Sequence, residues 1–201
     1  MNPRNRNEVV PQKHDFYPTP LWAIEIILPH LFIHGRSIDP ACGDGRVCFA
    51  LLDHGSTQVE ACDIRQEAVI QVKEQKEDLI KVWQCDALEW SGFEGEEYDL
   101  IITNPPNNLS ERFATRFKRF RSKHCGQLAL FLPLDFVCAA KRTSFLMSER
   151  PDIYILNKRP DFNAELGIGD NAPMGNWIWA VWRNGIEGGR YTILDAPKGK
   201  P

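Results

Sequence analysis

The chain has no apolar run long enough to cross a membrane and no pattern typical of a signal peptide. A membrane-spanning helix needs about 18 or more consecutive apolar residues, and the 201-residue sequence contains no such run. We therefore expect a soluble, cytoplasmic protein. The six cysteines form no C-x-x-C pair, and the five histidines lie in no nucleophile or metal constellation. The cysteines are expected to be reduced core residues, and neither a metal site nor a disulfide framework is expected.

A strong charge of one sign is also missing. The net charge of −3 does not by itself indicate a partner such as nucleic acid. The length of 201 residues suits one domain with a substantial core. We expect a flexible tail at residues 1–14 and a single domain at residues 15–195.

Strand-like and helix-like segments alternate along that domain. The alternation predicts a parallel α/β sheet with helices on both faces. The predicted strands are 37–39, 58–63, 80–85, 98–103, 127–132, 152–156 and 177–183. The predicted helices are Leu21 to Phe32, then 45–54, 66–77, 109–123 and 137–148.

A glycine loop follows the first predicted strand. Residues 37–46 read Ser-Ile-Asp-Pro-Ala-Cys-Gly-Asp-Gly-Arg, and glycines in such a turn let the backbone approach a ligand closely. Cys48 stands where the dinucleotide-binding pattern has its third glycine, which disfavours a pyrophosphate ligand. Asp39 at the strand tip would also repel a pyrophosphate, and it suits the cationic amino group of a methionine moiety.

Two more carboxylates end predicted strands. Asp63 lies twenty residues after Gly43, where a carboxylate can accept both hydroxyls of a ribose. Asp86 follows the strand 80–85, where it can contact an adenine edge. A glycine loop, a ribose carboxylate and an adenine-side carboxylate in this order resemble the class I S-adenosylmethionine-dependent methyltransferases.

The tetrapeptide Asn104-Pro105-Pro106-Asn107 stops the apolar run 98–103 abruptly. Two prolines fix φ and lack N–H donors, so nearby carbonyls point outward without a backbone partner. The side-chain amide of Asn104 beside such a carbonyl makes a pair of acceptors for a planar –NH2 group. We therefore predict that these four residues are catalytic and hold an exocyclic amine while it attacks an electrophile.

Three segments in chain order resemble small phage and prophage DNA adenine-N6 methyltransferases. They are Asp-Phe-Tyr-Pro-Thr-Pro at 15–20, the loop 39–45, and Asn-Pro-Pro at 104–106. Arg159-Pro-Asp-Phe162, Asn171-Ala-Pro173, Trp177 and Trp182 also look like that group. The resemblance implies a Rossmann-like, mostly parallel seven-stranded sheet with an antiparallel last strand. It further implies S-adenosylmethionine as cofactor and DNA, in a bacterial host, as partner.

The same resemblance assigns the cofactor contacts. They are Tyr17, Thr19, Pro20, Asp39, Pro40, Cys42, Gly43, Gly45, Asp63, Ile64, Asp86 and Ala87. The first three would close over the methionine end, Asp63 would hold the ribose, and Asp86 with Ala87 the adenine. Asn104 and the Pro105 carbonyl would accept both hydrogens of the target amine and free its lone pair for in-line attack. Catalysis would then be mostly positioning and electrostatics, without a strong base.

Asn107 departs from that family's pattern, in which an aromatic residue stacks on the flipped target base. Loss of base stacking costs on the order of 1–3 kcal/mol. Three explanations stay open. Another aromatic (Phe16, Tyr17 or Phe162) substitutes, the target is not a flipped base, or the protein has lost activity.

Basic residues mark the predicted nucleic-acid contacts. They are Arg112, Arg116, Arg119 and Lys123 on one stripe of the helix 109–123, together with Arg159 and Phe162. The stripe begins beside the Pro-Pro turn, where a phosphate backbone would pass; a merely solvated helix face is the alternative. The irregular stretch 157–176 is a candidate recognition loop, because loops of that length are often functional.

Three functions remain open on the sequence alone. The leading one is methyl transfer to adenine N6 in DNA. The same acceptor pair would also serve an RNA base or a glutamine amide in a protein. The third is an inactive binding protein that retains the methyltransferase fold.

Overall fold

An eight-stranded sheet forms the centre of the protein. The computed structural model describes residues 17–76, 78–162 and 175–197. The strands are β1 (Arg36–Asp39), β2 (Gln58–Asp63), β3 (Ile80–Gln84), β4 (Leu100–Thr103), β5 (Gln127–Pro133), β6 (Asp152–Leu156), β7 (Trp177–Arg183) and β8 (Tyr191–Leu194). They lie in the order β3-β2-β1-β4-β5-β7-β6-β8. The first five strands pair in parallel, and β7 is antiparallel to both of its neighbours.

Helices cover both faces of the sheet. They are α1 (Leu21–Glu25), α2 (Arg46–Asp53), α3 (Gln66–Lys76), α4 (Ser110–Phe117), α5 (Asp135–Cys138) and α6 (Thr143–Glu149). Ile24, Leu51 and Val72 from α1 to α3 belong to one buried cluster, and Phe113 and Phe117 from α4 to another. Two apolar layers on opposite faces explain why the central strands are continuously apolar. The predicted mostly parallel α/β fold with an antiparallel strand is confirmed.

Several predicted elements are shorter or divided. The predicted helix from Leu21 to Phe32 ends as α1 at Glu25 and continues as a 3₁₀ turn at Leu28–His30. Pro29 explains the break, because proline lacks an N–H and clashes with the preceding turn. The predicted helix 109–123 becomes α4 and a 3₁₀ turn at Lys118–Phe120.

The antiparallel strand is not the last strand of the sheet. The strand β8 was not predicted from the sequence. It pairs in parallel with β6 at the edge of the sheet. This strand is mostly exposed, with Tyr191 and Ile193 on its open face. A four-residue edge strand that follows Gly188-Gly189 carries little of the buried periodicity on which strand prediction depends.

Strand order brings the ends of β1, β2, β3 and β4 to one edge. The chain passes from β1 outward to β2 and β3, and then returns to place β4 on the other side of β1. Parallel strands on the two sides of such a switch point open a crevice at their carboxyl ends. Asp39 and Asp63 end β1 and β2, and Asn104 directly follows β4. The fold therefore gathers the predicted site residues in one place.

Some predictions fall on residues that the structure does not describe. These are the tail 1–14, Asp15, Phe16 and most of the candidate recognition loop, at 163–174. Within the described ranges, no helix has the length and apolar character needed to span a membrane. The same ranges hold no group of three potential metal ligands.

The cysteines are unpaired in the structure, as the sequence indicates. The prediction that they are core residues is only partly right. Cys42, Cys48 and Cys62 are buried, but Cys125 and Cys138 are exposed. Cys125 lies in the turn before β5 and Cys138 ends the short helix α5, so neither lies under the sheet.

We expect Gly45→Ala to destabilise the protein more than Gly55→Ala. Both glycines have positive φ, +84° and +90°, so each substitution incurs the left-handed penalty of roughly 1–2 kcal/mol. A Cβ at Gly45 would lie 2.8 Å from side-chain atoms of Phe49 and Val72, whereas no described atom lies within 4 Å of one at Gly55. Crowding should add about 1–3 kcal/mol at Gly45. Urea denaturation of both variants measures the difference; equal losses would contradict it.

Candidate active site

A cleft of about 930 Å³ of non-atom space, counted to its open mouth, lies at the carboxyl ends of β1 to β4. Fourteen predicted residues line it: Tyr17, Thr19, Asp39, Pro40, Cys42, Gly43, Asp63, Ile64, Asp86, Ala87, Asn104, Pro105, Pro106 and Asn107. The fold thus brings the predicted cofactor side and the predicted catalytic side to opposite walls of one cavity.

Two predicted cofactor contacts do not line the cleft. Pro20 caps α1, and its carbonyl accepts a hydrogen bond from the Ala23 N–H at 2.9 Å. Gly45 sits at the start of α2 in a left-handed conformation, with its Cα facing Phe49 and Val72. Both residues shape the chain around the cleft without forming its wall.

Three amide groups of the glycine loop already donate hydrogen bonds within the protein. The N–H of Cys42 donates to the Cys62 carbonyl, and the N–H of Gly45 to the Cys42 carbonyl, both at 2.9 Å. The N–H of Gly43 donates to Oδ2 of Asp63 at 2.9 Å. A phosphate group needs such N–H donors to be free and pointing at it. The loop therefore disfavours a pyrophosphate, in agreement with the missing third glycine.

Asp63 is a buried carboxylate that forms an ion pair with Arg65. Its Oδ1 accepts hydrogen bonds from the backbone N–H and from Nε of Arg65, at 2.9 and 3.0 Å. Its Oδ2 accepts the Gly43 N–H and also Nη2 of Arg65, at 3.2 Å. A ribose hydroxyl that binds Asp63 would therefore share or replace a bond from Arg65.

Asp39 is buried at the tip of β1, and its carboxyl group is less acidic than usual. Burial raises the pKa of Asp39 to about 7, and the nearby negative charges of Asp63 and Asp44 act in the same direction. A hydrogen bond from the Ala41 N–H to Oδ1, at 3.1 Å, offsets part of this effect. An uncompensated carboxylate at this position favours a cationic ligand group.

The side chain of Asn104 has a defined orientation. Its Nδ2 donates a hydrogen bond to the Tyr17 carbonyl at 3.0 Å. A carbonyl oxygen can only accept, so the –NH2 end of the amide must face Tyr17 and the Oδ1 end must face away. Asn104 therefore presents an acceptor on the side away from Tyr17, as an amine-binding role requires.

Further acceptors lie along the same wall. Among the described residues, no donor pairs with the carbonyl of Pro105, which is buried. Oδ1 of Asn107 is buried and also has no hydrogen-bond donor among them. Unpaired buried acceptors are costly, so this wall is suited to a ligand that carries N–H groups.

The three aromatic candidates to replace a stacking residue differ in placement. Phe162 is 2% exposed and packs against Trp177, with ring centroids 4.9 Å apart, so it belongs to the core. Phe16 lies outside the described residues. Tyr17 is partly buried, lines the cleft and meets Phe162 edge-on at 5.9 Å. Of the described candidates, Tyr17 is the one with a ring at the cavity.

The predicted basic stripe begins on α4 and continues past its end at Phe117, and it faces acidic partners that its own sequence does not reveal. Arg112 pairs with Glu89 at 2.7 Å, Arg119 with Glu94 at 3.4 Å, and Lys123 with Glu97 at 3.7 Å. Glutamates of the segment before β4 therefore neutralise much of the positive charge of the stripe. The stripe is not the free basic surface that its sequence indicates.

Arg116 differs from the other members of the stripe. Its Nε and Nη2 donate to the carbonyls of Ala87 and Trp90, at 2.9 and 2.6 Å. These bonds fix the loop that carries Asp86 to α4. Arg159 donates to Asn176 at 3.1 Å and is exposed, so it lies at the base of the candidate recognition loop.

Several residues that line the cleft were not predicted from the sequence. They are Pro18, Ala41, Asp44, Arg46, Val47, Arg65, Cys85, Leu109, Phe113 and Trp177. Asp44 and Arg46 stand inside the glycine motif, so their position was a usable signal. Phe113 is a buried residue of α4, and the sequence around it carries no signal of a cavity.

Comparison with known proteins gives a family for part of the chain. Residues 38–121 match a family described as a methyltransferase domain. This region is similar to methyltransferase domains. A curated tRNA1(Val) adenine(37)-N6-methyltransferase from Parabacteroides distasonis is 28% identical over 100 residues. The match covers 47% of this chain and 42% of the relative, so less than half of that relative is represented here.

Solved methyltransferases share the whole fold. A Listeria monocytogenes protein assigned to the class I S-adenosylmethionine-dependent methyltransferases superposes with a TM-score of 0.64 at 12% identity, over 92% of this chain and 67% of its own. A dimethyladenosine transferase from Plasmodium falciparum gives 0.62 at 14% identity, over 83% and 62%. At such identities the likeness establishes the fold.

The cleft fits S-adenosylmethionine, the cofactor of class I methyltransferases. The molecule carries no phosphate, and the N–H groups of Cys42, Gly43 and Gly45, which a phosphate could use, already donate within the protein. The molecule has a cationic amino group and a ribose diol, and the cleft has buried carboxylates at Asp39 and Asp63. The exposed apolar side chain of Ile64 lies on the same lining, where a purine ring can cover it.

We expect Asp39→Asn to flatten the pH dependence of stability of the ligand-free protein. The folded-state pKa of Asp39, about 7, lies above its ordinary value of 3.8. Ionisation is therefore harder in the folded state, and the free energy of unfolding should fall as pH rises from about 4 to 7, by on the order of 3 kcal/mol at most. Urea denaturation across this range checks it. An unchanged slope in the variant would contradict the assignment.

Proposed function

We propose that this protein transfers a methyl group from S-adenosylmethionine to the exocyclic N6 amine of adenine in a nucleic acid, with DNA as the leading polymer. The orientation of Asn104 carries the proposal, because its amide presents an oxygen acceptor beside the Pro105 carbonyl. This pair matches the two hydrogens of a planar amine. The phage-type DNA methyltransferase resemblance of the motifs supports DNA.

The residues of the cleft perform the chemistry by positioning. S-adenosylmethionine supplies an electrophilic methyl group on its sulfonium. Asn104 Oδ1 and the Pro105 carbonyl accept one hydrogen each from the amine, which directs the nitrogen lone pair along the attack line. The amine nitrogen would take the methyl group as the bond from sulfur to that methyl breaks, and its surplus proton would pass to solvent. Proximity and oriented dipoles supply most of the rate enhancement.

RNA is the second candidate polymer, and one observation favours it. The curated relative acts on adenine in a tRNA, and its matched region includes less than half of its length. Both polymers present the same amine, so the acceptor pair alone does not separate them. A protein glutamine amide has no comparable support among the relatives.

The polymer contacts are proposed at two places. Arg112 and Arg119 form exposed ion pairs with Glu89 and Glu94, and exposed pairs are weak enough to exchange for phosphate. These arginines border a shallow groove that also includes Asn108, next to the Asn-Pro-Pro turn. The second place is the stretch 157–176, with Arg159 at its base.

We expect N6-methyladenosine or its deoxy form when the protein is incubated with labelled S-adenosylmethionine and unmodified DNA or RNA. Digestion to nucleosides and mass spectrometry identify the base, the methylated atom and the polymer. Asn104→Ala removes one amine acceptor and should lower the rate about 10²- to 10³-fold. Absence of product on both polymers, with the cofactor bound, would refute the proposed activity.

We expect Arg112→Glu combined with Arg119→Glu to weaken nucleic-acid binding. Each lost phosphate contact should reduce the slope of log K against log salt by about one, while cofactor affinity stays the same. Fluorescence anisotropy at several salt concentrations measures this slope. Lys73→Glu is the matched control, because this exposed lysine lies on α3, which packs on the opposite face. Identical slopes in all three proteins would exclude this surface.

A further inference from the structure

Residues 17–20 form a short strap along the cleft. The sequence is Tyr-Pro-Thr-Pro, so Thr19 is the only residue between the two prolines that has a backbone N–H. The strap leads into α1 at Leu21. Tyr17 and Thr19 line the cleft, and Thr19 is buried.

Two side chains from opposite walls attach to carbonyls of the strap. Nδ2 of Asn104 donates to the Tyr17 carbonyl at 3.0 Å. Nη1 of Arg46 donates to the Thr19 carbonyl at 2.9 Å. The first side chain belongs to the amine-binding wall, and the second starts α2 on the cofactor wall. The strap therefore connects the two walls mechanically.

Arg46 is itself held rigidly. Its Nε lies 2.9 Å from both carboxylate oxygens of Asp44, and its Nη2 lies 2.6 Å from Oδ2. The arginine side chain is only 17% exposed, so solvent competes little for these bonds. A multidentate arginine–carboxylate pair fixes direction as well as charge.

We propose that Arg46 is a positioning residue for methyl transfer that acts through the strap on Asn104. The inference rests on the proposed function, and it goes beyond it by giving a role to a residue far from the amine acceptors in sequence. With the strap held by Arg46, the Tyr17 carbonyl keeps the –NH2 end of Asn104 turned away from the target. With the strap released, the amide can rotate and present –NH2 to the amine, so that two donors face each other.

A double-mutant cycle separates this role from direct contact between Arg46 and the cofactor. Single-turnover rates are measured at saturating S-adenosylmethionine and nucleic acid. Arg46→Gln should lower the rate about tenfold, with a smaller change in the Kd for S-adenosylhomocysteine. In an Asn104→Asp background, residue 104 keeps an acceptor but has no donor for Tyr17. There Arg46→Gln should change the rate less than about twofold.

Two results of the cycle would overturn the proposal. One is an equal rate loss from Arg46→Gln in both backgrounds. The other is a loss of S-adenosylhomocysteine affinity that accounts for the whole rate effect. Arg150→Gln is the control, because Arg150 forms an exposed pair with Glu187 remote from the cleft, and it should leave both quantities unchanged.

A second measurement does not depend on activity. The side-chain amide protons of Asn104, assigned in NMR spectra by their absence in Asn104→Asp, should exchange with water at least about fivefold faster in Arg46→Gln, because exchange follows local opening. Unchanged exchange would overturn the proposal even in an active enzyme. Faster exchange in a protein that methylates no nucleic acid would instead support the coupling of Arg46 to Asn104 through the strap and refute the proposed function.

Discussion

The parallel pairing of β1 with β4 is the constraint on which the site depends. Ser37 and Ile38 of β1 lie in register with Leu100 and Ile101 of β4, although the chain runs through β2 and β3 between them. The connections therefore leave the two strand ends in opposite directions, and a crevice opens where they part. Asp39 ends one of these strands. The carboxylates and the amine acceptors consequently face each other across a single cavity.

The kind of ligand that suits the cavity depends on which lining groups already form hydrogen bonds within the protein. The N–H groups of Cys42, Gly43 and Gly45 already donate to carbonyls and to Asp63. The lining also holds the buried carboxylates of Asp39 and Asp63 and the oxygens of Pro105 and Asn107. A cationic, hydroxyl-bearing cofactor without phosphate suits the carboxylates, and an amine suits the oxygens of the Asn-Pro-Pro turn. The proposed methyl transfer would thus have its donor and its acceptor on two sides of the same strand pairing.

The charge of the outer surface around α4 does not follow from the sequence of that helix alone. The helix α4 is basic in sequence, but Glu89, Glu94 and Glu97 approach its basic side chains from the preceding segment. Exposed ion pairs of this kind contribute little to stability, so the proposed exchange of these arginines to phosphates would cost little. Arg116 is different, because it bonds to two backbone carbonyls and supports the loop that carries Asp86.

The succession of strands and helices along the chain, the glycine loop and the Asn-Pro-Pro turn could be read from the sequence, because each depends on local periodicity or on residues that constrain their own backbone. Most of the cavity lining followed, since carboxyl ends of parallel strands must meet at one edge. The rest depended on distant residues. The edge strand β8, the burial of Phe162, the neutralised stripe on α4 and the bonds from Asn104 and Arg46 to the strap all join segments far apart in sequence. No local pattern encodes such contacts, so only the tertiary structure decided them.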